Sequence, residues 1–426
     1  MYIQLTVAIL ATLQPWILLG DELPMSMAYQ SDSAISNKIP SGEKSPMSDR
    51  EKAGLRGPVQ QCAEEQMVPA FENIPAATYT TTTKYSPEGR ILQSTTYNSV
   101  ESGPPEFSTT YTYDSAGLLI KKTATNAGSP VSESKYHYDE KARIISITDP
   151  LRTSTFEYDH KGRRSRVVSP GSESEVLLPA STAYEFPGPE DEDPYLPIPA
   201  GGQARISYNE QDHPLEWKIS DANGNLVNRL IRTYDENGRV SESRYTIENI
   251  LLAFPSETQQ QFLAESGAAE ELARQFTKLL GEQHDFTRTT YKYDAEGRLT
   301  EKHAHMGPSM EIVSKIAYND HSDKTEEETM TIGEPNPSND GQPSEVSSGA
   351  PPSQESKVRY SYKYDGFGNW TEQRTSSATS ADDANFIRRT LIYYSSQSLE
   401  AETALSSQRG PGARFLQRMG SFFGLR

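Results

Sequence analysis

The sequence is short of several components on which folded proteins commonly depend. Only 34% of its 426 residues are apolar, and Cys62 is the single cysteine. One cysteine excludes an intramolecular disulfide and leaves the redox compartment undetermined. So little apolar material argues against one thick globular core and favours a thin sheet structure with disordered stretches.

Basic residues are also outnumbered by acidic ones, which gives a formal net charge of -18. Phosphate contacts need clustered Lys and Arg, so we expect no nucleic-acid partner. The one basic cluster lies in residues 409–426, within a C-terminal tail of alternating Arg and apolar residues. This tail could form an amphipathic helix in weak contact with an anionic membrane or a protein groove. We favour a docked helix or a frayed end.

Sequence motifs of catalysis are missing as well. There is no His-Glu-x-x-His helix, Gly-x-Ser-x-Gly elbow, P-loop or Gly-x-Gly-x-x-Gly turn. We therefore predict a protein that is not an enzyme, with no catalytic residues and no cofactor.

Two sequence features resemble parts of metal sites. His303 and His305 lie two apart on a predicted strand and would bind metal if a carboxylate joined them. Two ligands alone do not make a site, so we favour exposed strand residues. Asp221 to Asn225 is similar to half of a calcium loop, but it lacks the downstream Glu and is in register with a turn. No metal site is predicted.

Long apolar runs are confined to residues 3–20, which carry no charge and are followed by Asp21 and Glu22. The length suits a signal-peptide core, with cleavage near Gly20. No Lys or Arg precedes the run, so an uncleaved anchor is the alternative. Either interpretation places the protein in the secreted space or the cell envelope.

Tyrosine, by contrast, is abundant, with 23 residues. Many of them belong to a recurring Tyr-Asp-x-x-Gly pattern that predicts β-hairpins. Asp at the first position of a type I turn accepts bonds from backbone amides, and Gly three positions later adopts the left-handed conformation of a bulge. The turn residues are Tyr113, Asp114, Gly117, Tyr138, Asp139, Tyr158, Asp159, Gly162, Tyr234, Asp235, Gly238, Tyr293, Asp294, Gly297, Tyr364, Asp365 and Gly368.

Copies such as Tyr293-Asp-Ala-Glu-Gly297-Arg-Leu299 resemble the YD repeat of the RHS family. The resemblance covers residues 79 to about 394. It implies an all-β fold, in which antiparallel hairpins form a curved or spiralling sheet and a partial RHS-like shell. The sequence departs from toxin members of that family, since it has neither the core-closing Asp-Pro-x-Gly motif after the last repeat nor a toxin payload.

The repeat and its interruptions divide the chain into segments of different composition. We predict one helical insertion, capped by Ser256 with Gln259 and ended by Gly281. The predicted segments are a signal peptide or anchor (1–20), a disordered linker (21–77), a first repeat array (78–254), the helical insertion (255–284), a second array (285–333), a disordered linker (334–357), a terminal repeat (358–395) and the basic amphipathic tail (396–426).

Aromatic side chains are the candidate ligand contacts. Flat Tyr and Trp rings can stack on sugars, but the Tyr before each Asp is needed for packing, which leaves Trp217 and Trp370 as candidates. The predicted function is a non-catalytic secreted or cell-envelope scaffold or binding protein, with a glycan or another envelope component as its ligand. The alternative is a truncated RHS-type shell or scaffold associated with toxin delivery or intercellular competition.

Overall fold

The structure is a computed structural model. It describes residues 47–68, 77–98, 105–150, 153–168, 198–254, 256–264, 266–280, 285–306, 310–333, 353–377 and 385–395. The predicted signal peptide and the basic tail lie outside these residues. Among the described helices, none combines the length and the apolar character needed to cross a membrane.

The protein is all-β, as the sequence predicts. The strands are β1 Val59–Val68, β2 Ala77–Tyr85, β3 Ile91–Asn98, β4 Phe107–Tyr113, β5 Leu119–Asn126, β6 Ser129–Tyr138, β7 Ile144–Thr148, β8 Thr153–Tyr158, β9 Arg164–Val168, β10 Gln203–Tyr208, β11 Pro214–Ser220, β12 Leu226–Tyr234, β13 Val240–Ile247, β14 Asp285–Tyr293, β15 Leu299–Met306, β16 Met310–Tyr318, β17 Lys324–Gly333, β18 Ser353–Tyr364, β19 Trp370–Ser377 and β20 Asn385–Tyr393. The helices are α1 Asp49–Lys52, α2 Ser256–Ala264 and α3 Ala268–Leu280.

The strands form one 20-stranded sheet in which successive strands pair antiparallel. Its ends meet, because β1 pairs with β2 along one side and with β20 along the other. The expected open, spiralling RHS-type shell is therefore wrong, and the sheet is closed. Closure gives the backbone groups of the first and last strands a partner, so neither is left as a free edge.

Strand β1 corrects the prediction of a disordered linker over residues 21–77. Its sequence, Val-Gln-Gln-Cys-Ala-Glu-Glu-Gln-Met-Val, has little apolar alternation of its own. The partner strands impose its conformation: Cys62 lies opposite Thr83 of β2 and Leu391 of β20. Context of this kind commonly outweighs intrinsic strand preference.

A buried side chain also bonds the segment before β1 to the terminal repeat. Asn369, which is 1% exposed, accepts a bond from the Arg56 amide at 2.6 Å. Its amide nitrogen donates to the Arg56 carbonyl and to the Tyr393 hydroxyl, each at 2.9 Å. These bonds fix the residues before β1 to the terminal repeat, because a buried polar group left unpaired is costly.

The chain comprises two compact units. The smaller contains Lys38–Glu133 and Ser361–Arg374, and its core is a cluster of Leu55, Val59, Cys62 and Tyr85. The larger contains Ser134–Tyr360, and its core lies between the sheet and the helical insertion. That core is built from Trp217, Ile219, Leu230, Tyr245 and Ile247 of the sheet with Phe262 and Ala268 of the insertion, and with Ala253 and Phe254 directly before it.

The insertion holds two helices rather than the single predicted one. Gly267, with φ 79°, separates α2 from α3, because this left-handed conformation interrupts a right-handed helix. Ser256, the predicted cap, is instead the first residue of α2, and the Gln259 side chain donates to the Phe254 carbonyl at 2.7 Å. A second correction concerns the linker 334–357, because β18 already begins at Ser353 and pairs with β17.

Candidate functional site

The Tyr-Asp-x-x-Gly residues form hairpin turns whose side chains are occupied by local bonds. In the β12–β13 turn the Asp235 amide donates to the Arg239 carbonyl at 2.8 Å. Asp235 Oδ1 accepts from the amides of Asn237 and Arg239, both at 2.9 Å. Gly238 has φ 77°, a conformation that suits glycine. The same arrangement recurs at Asp114, Asp139, Asp159, Asp294 and Asp365.

Several of these turns are also bonded to a neighbouring hairpin through Tyr, and some of them through Arg as well. The Tyr293 hydroxyl donates to the Val240 carbonyl at 2.8 Å. The Arg239 guanidinium lies 4.6 Å from the Tyr293 ring centroid, while its Nε donates to Asp235 Oδ2 at 2.8 Å. Hydroxyl bonds to the preceding hairpin recur at Tyr113, Tyr158, Tyr208, Tyr234 and Tyr318.

These contacts govern the charge state of the turn carboxylates. Burial on its own would raise the pKa of Asp235, but hydrogen bonds from the Arg239 amide and guanidinium outweigh it and lower that pKa. The same balance lowers the pKa of Asp139 and of Asp159. The motif therefore has a structural role: its Asp carboxylates are kept ionised and accept the hydrogen bonds that hold the turns.

Asn can replace Asp in the turn without loss of the backbone geometry. Asn319 Oδ1 accepts from the amides of His321 at 2.9 Å and Asp323 at 3.0 Å. At Asp221, where calcium was the discarded alternative, Oδ1 accepts from the amides of Asn223 and Asn225. Asp221 therefore lies in a hairpin turn of the ordinary kind.

The two tryptophans occupy packed positions. Trp217 is 2% exposed and lies in the core with the Arg232 guanidinium 5.1 Å from its ring centroid. The expectation that it contacts a ligand at the surface is corrected, because this ring faces the helical insertion rather than solvent. Trp370 is half-buried, and the Arg389 guanidinium lies 3.4 Å from its ring centroid. One face of Trp370 is therefore occupied.

The face of β9–β12 opposite the buried core, here called the outer face, carries a contiguous row of basic side chains. We call this row the basic ladder. Arg205 of β10 is paired with Arg166 of β9 and with Lys218 of β11. Lys218 is in turn paired with Arg229 of β12. Directly paired residues point to the same side of a sheet, so the four charges form a strip across four strands.

Carboxylates neutralise the ends of the basic ladder more than its centre. Arg166 lies 2.5 Å from Glu157, and Arg229 lies 2.6 Å from Glu248. Lys218 lies 3.4 Å from Glu216, and its side chain is 54% exposed. Arg205 is exposed and has no ion-pair partner among the residues that the structure describes. The centre of the strip therefore presents positive charge to solvent.

His303, His305 and Glu311 form a second cluster on the outer face of the larger unit's sheet. His305 is paired directly with Glu311 across β15 and β16. His303 Nε2 lies 2.5 Å from Glu311 Oε1, and the two imidazole centroids are 4.5 Å apart. One ligand atom from each of the three residues lies within 4.8 Å of the others. The carboxylate that the sequence argument required is present on the neighbouring strand.

Comparison with known proteins gives little further guidance. No family model matches the chain, and no curated protein matches it significantly. The chain is similar to a porin-like protein from Bacteroides uniformis of known crystal structure. The identity is 13% and the TM-score 0.27, with 79% of this chain and 99% of the other covered. So low a score carries no argument about function. The RHS-family identification is wrong, given the closed sheet and the lack of a family match.

Proposed function

We propose that the protein is a non-catalytic binding scaffold of the cell envelope or the secreted space, and that it binds an acidic polysaccharide. The basic ladder of Arg166, Arg205, Lys218 and Arg229 is the observation that carries this proposal. Its four charges are presented on a sheet face opposite the buried core.

The clustering of like charges supports a ligand. Like charges directly opposite each other destabilise a pair of strands. Two of the three pairings in the basic ladder, Arg166 with Arg205 and Arg205 with Lys218, involve the exposed Arg205. In a chain of net charge -18, such a row is suited to an anionic partner, whose charge would relieve the repulsion.

The shape of the basic ladder supports an extended polymer over a small anion. Neighbouring strands lie about 4.8 Å apart, so four strands spread the charges over about 14 Å. Gln203, Ser207 and Ser220 lie two residues from Arg205 or Lys218 on the same strands, and therefore on the same face. Their amide and hydroxyl groups can bond sugar hydroxyls while the cations pair with carboxylate or sulfate groups.

The other parts of the proposal rest on separate observations. The apolar residues 3–20 favour export. Exposed Arg and Lys on the outer face suit water rather than hydrocarbon. A non-catalytic role is supported by the repeated turn side chains, since Asp235, Arg239 and Tyr293 are held in structural bonds.

A glycan array with the purified full chain tests this function. We expect binding to uronic-acid or sulfated polymers and none to neutral polymers of the same backbone. The double substitution Arg205→Ala/Lys218→Ala should abolish the signal. Lys292→Ala removes a cation from the same face of the sheet, on β14, and should leave the signal unchanged. Equal binding to neutral and acidic glycans, a blank array, or preference for nucleic acid would contradict the proposal.

A further inference from the structure

We propose that His303, His305 and Glu311 form a binding site for a divalent transition metal, with Zn²⁺ as the ion that fits best. This site is separate from the basic ladder and does not depend on the proposed polysaccharide ligand. Three features of the cluster carry the inference: the ligand types, their spacing and the charges around them.

The ligand set is two imidazoles and one carboxylate. Zinc binds His nitrogen at about 2.0–2.1 Å and carboxylate oxygen at about 2.0–2.2 Å, and three protein ligands with a water in the fourth position make an open site. Imidazole favours zinc, copper, iron and nickel, whereas Mg²⁺ and Ca²⁺ prefer all-oxygen sites. The two histidines of this cluster therefore point to a transition metal.

The spacing is close to that of a tetrahedral site. Ligand atoms at zinc distances are about 3.4 Å apart in a tetrahedron. In the cluster the candidate atoms all lie within 4.8 Å of one another, and His303 Nε2 is 2.5 Å from Glu311 Oε1. Small side-chain rotations would open that closest pair and bring His305 closer. The backbone already brings the three residues together, since the two histidines lie two residues apart on one face of β15 and Glu311 is paired with His305.

The bond between His303 and Glu311 contains a proton that the metal would displace. A metal ion binds the nitrogen lone pair of an imidazole and a carboxylate oxygen, so it would take the place of this proton. All three side chains are accessible, because His305 is exposed and His303 and Glu311 retain 33% and 34% of their side-chain exposure. An ion can therefore reach the cluster from solvent.

The surrounding charges are compatible with a cation. On β14, Arg288 is paired with His305, but its guanidinium is held by Glu242 at 2.7 Å. Thr290 of β14 and Val313 of β16 are paired with His303 and carry no charge. The positive charge of Arg288 is thus neutralised by a carboxylate of its own.

Equilibrium dialysis of the purified full chain against Zn²⁺ tests the site. We expect one zinc ion that 100-fold more Ca²⁺ does not displace. His303→Gln and Glu311→Gln should each weaken binding by at least about 10-fold, the scale on which even indirect changes at metal sites act. Matched controls are His160→Gln, in the exposed β8–β9 turn, and Glu301→Gln on β15, which should leave zinc binding unchanged.

Two further measurements keep the outcome decisive. Circular dichroism checks that each variant is folded, and Co²⁺ added in place of zinc should give a visible absorption band that Glu311→Gln alters. Zinc bound equally by wild type and Glu311→Gln, or by neither, would overturn the site. Polysaccharide binding by Glu311→Gln should be unchanged, so failure of the metal site and failure of the proposed function give different results.

Discussion

The two faces of strands β10–β13 differ in what they contact. On one face Trp217, Leu230 and Ile247 are 2%, 0% and 1% exposed, packed against the helical insertion. On the other, Arg205 and Lys218 are exposed to solvent. Because successive side chains of a strand alternate between faces, Trp217 and Lys218 are neighbours in the chain but lie on opposite sides. Buried apolar packing and exposed charge therefore alternate in single-residue steps along one strand.

The largest expected effect is on the buried face. Leu230→Ala should lower the free energy of unfolding by about 2–5 kcal/mol, since it leaves a cavity beneath the insertion. Ile231→Ala is the matched control, one residue along β12 on the outer face, and should cost less than half as much. Urea denaturation of both variants measures the difference. Equal losses would show that the two faces are not distinct in packing.

On the outer face the expected effect is on binding. Arg205→Ala/Lys218→Ala should weaken binding of an acidic polysaccharide by at least about 10-fold, because it removes charge-assisted bonds. The free energy of unfolding should stay the same or rise slightly, since like charges across strands are removed. Isothermal titration measures the change in binding, and urea denaturation measures the change in the free energy of unfolding. A large loss of stability in this variant would contradict the separation of the faces.

The turns that orient these strands should respond less strongly. Asp235→Ala should destabilise the protein by about 1–2 kcal/mol, because the amides of Asn237 and Arg239 lose their acceptor. Asp235→Asn should cost less, since Asn319 accepts the same bonds in the β16–β17 turn. Thermal unfolding of both variants tests this order. Equal destabilisation would mean that the negative charge, rather than the acceptor oxygen, maintains the turn.

Acid should remove the charge-dependent part of that turn. The pKa of Asp235 is lower in the folded chain than its ordinary value, so its ionised form stabilises the fold above pH about 4. That contribution is lost as the pH falls through the lowered folded-state pKa. Unfolding free energies of wild type and Asp235→Asn, measured from neutral pH downward, should converge in acid. A difference that is constant with pH would contradict this assignment.

The smallest effect concerns a turn in which serine takes the place of glycine. Ser322 has φ 63°, a conformation in which a side chain is strained. Ser322→Gly should therefore stabilise the protein by up to about 1 kcal/mol, offset in part by the greater flexibility of unfolded glycine. Gly238→Ser is the reciprocal control and should destabilise. Calorimetry measures both changes. Destabilisation by Ser322→Gly would contradict the claim that the left-handed conformation strains Ser322.

Local features of the fold were predictable from the sequence. Asp235 and Gly238 mark a turn because their preferences are set within a few residues, and Ser256 marks the start of a helix for the same reason. Closure of the sheet was not predictable, since Cys62 pairs with Leu391 and only long-range packing brings these residues together. A periodic pattern cannot distinguish an open array from a closed one.

The candidate sites show a similar division. Once a turn is placed, counting outward from it, with the one-residue shift of its bulge, pairs Arg205 with Lys218. Counting outward from residues 307–309 pairs His305 with Glu311. The two histidines are visible in the sequence, whereas Glu311 joins them only once the partner strand is in register. The position of Trp217 on the covered face is not predictable, because alternation alone does not reveal on which face the helices pack. The repeated Arg after the turn glycine, as in Arg239, was the available signal for the links between turns.

The central claim, that the outer face binds an acidic polymer through the basic ladder, is tested most directly by a charge-matched titration. Wild type and Arg205→Gln/Lys218→Gln are titrated with polygalacturonate and with its methyl-esterified, uncharged form. We expect wild type to bind only the acidic form, more weakly as salt rises, and the double variant to bind that form at least about 10-fold more weakly. Equal affinity of both proteins for polygalacturonate would contradict the claim.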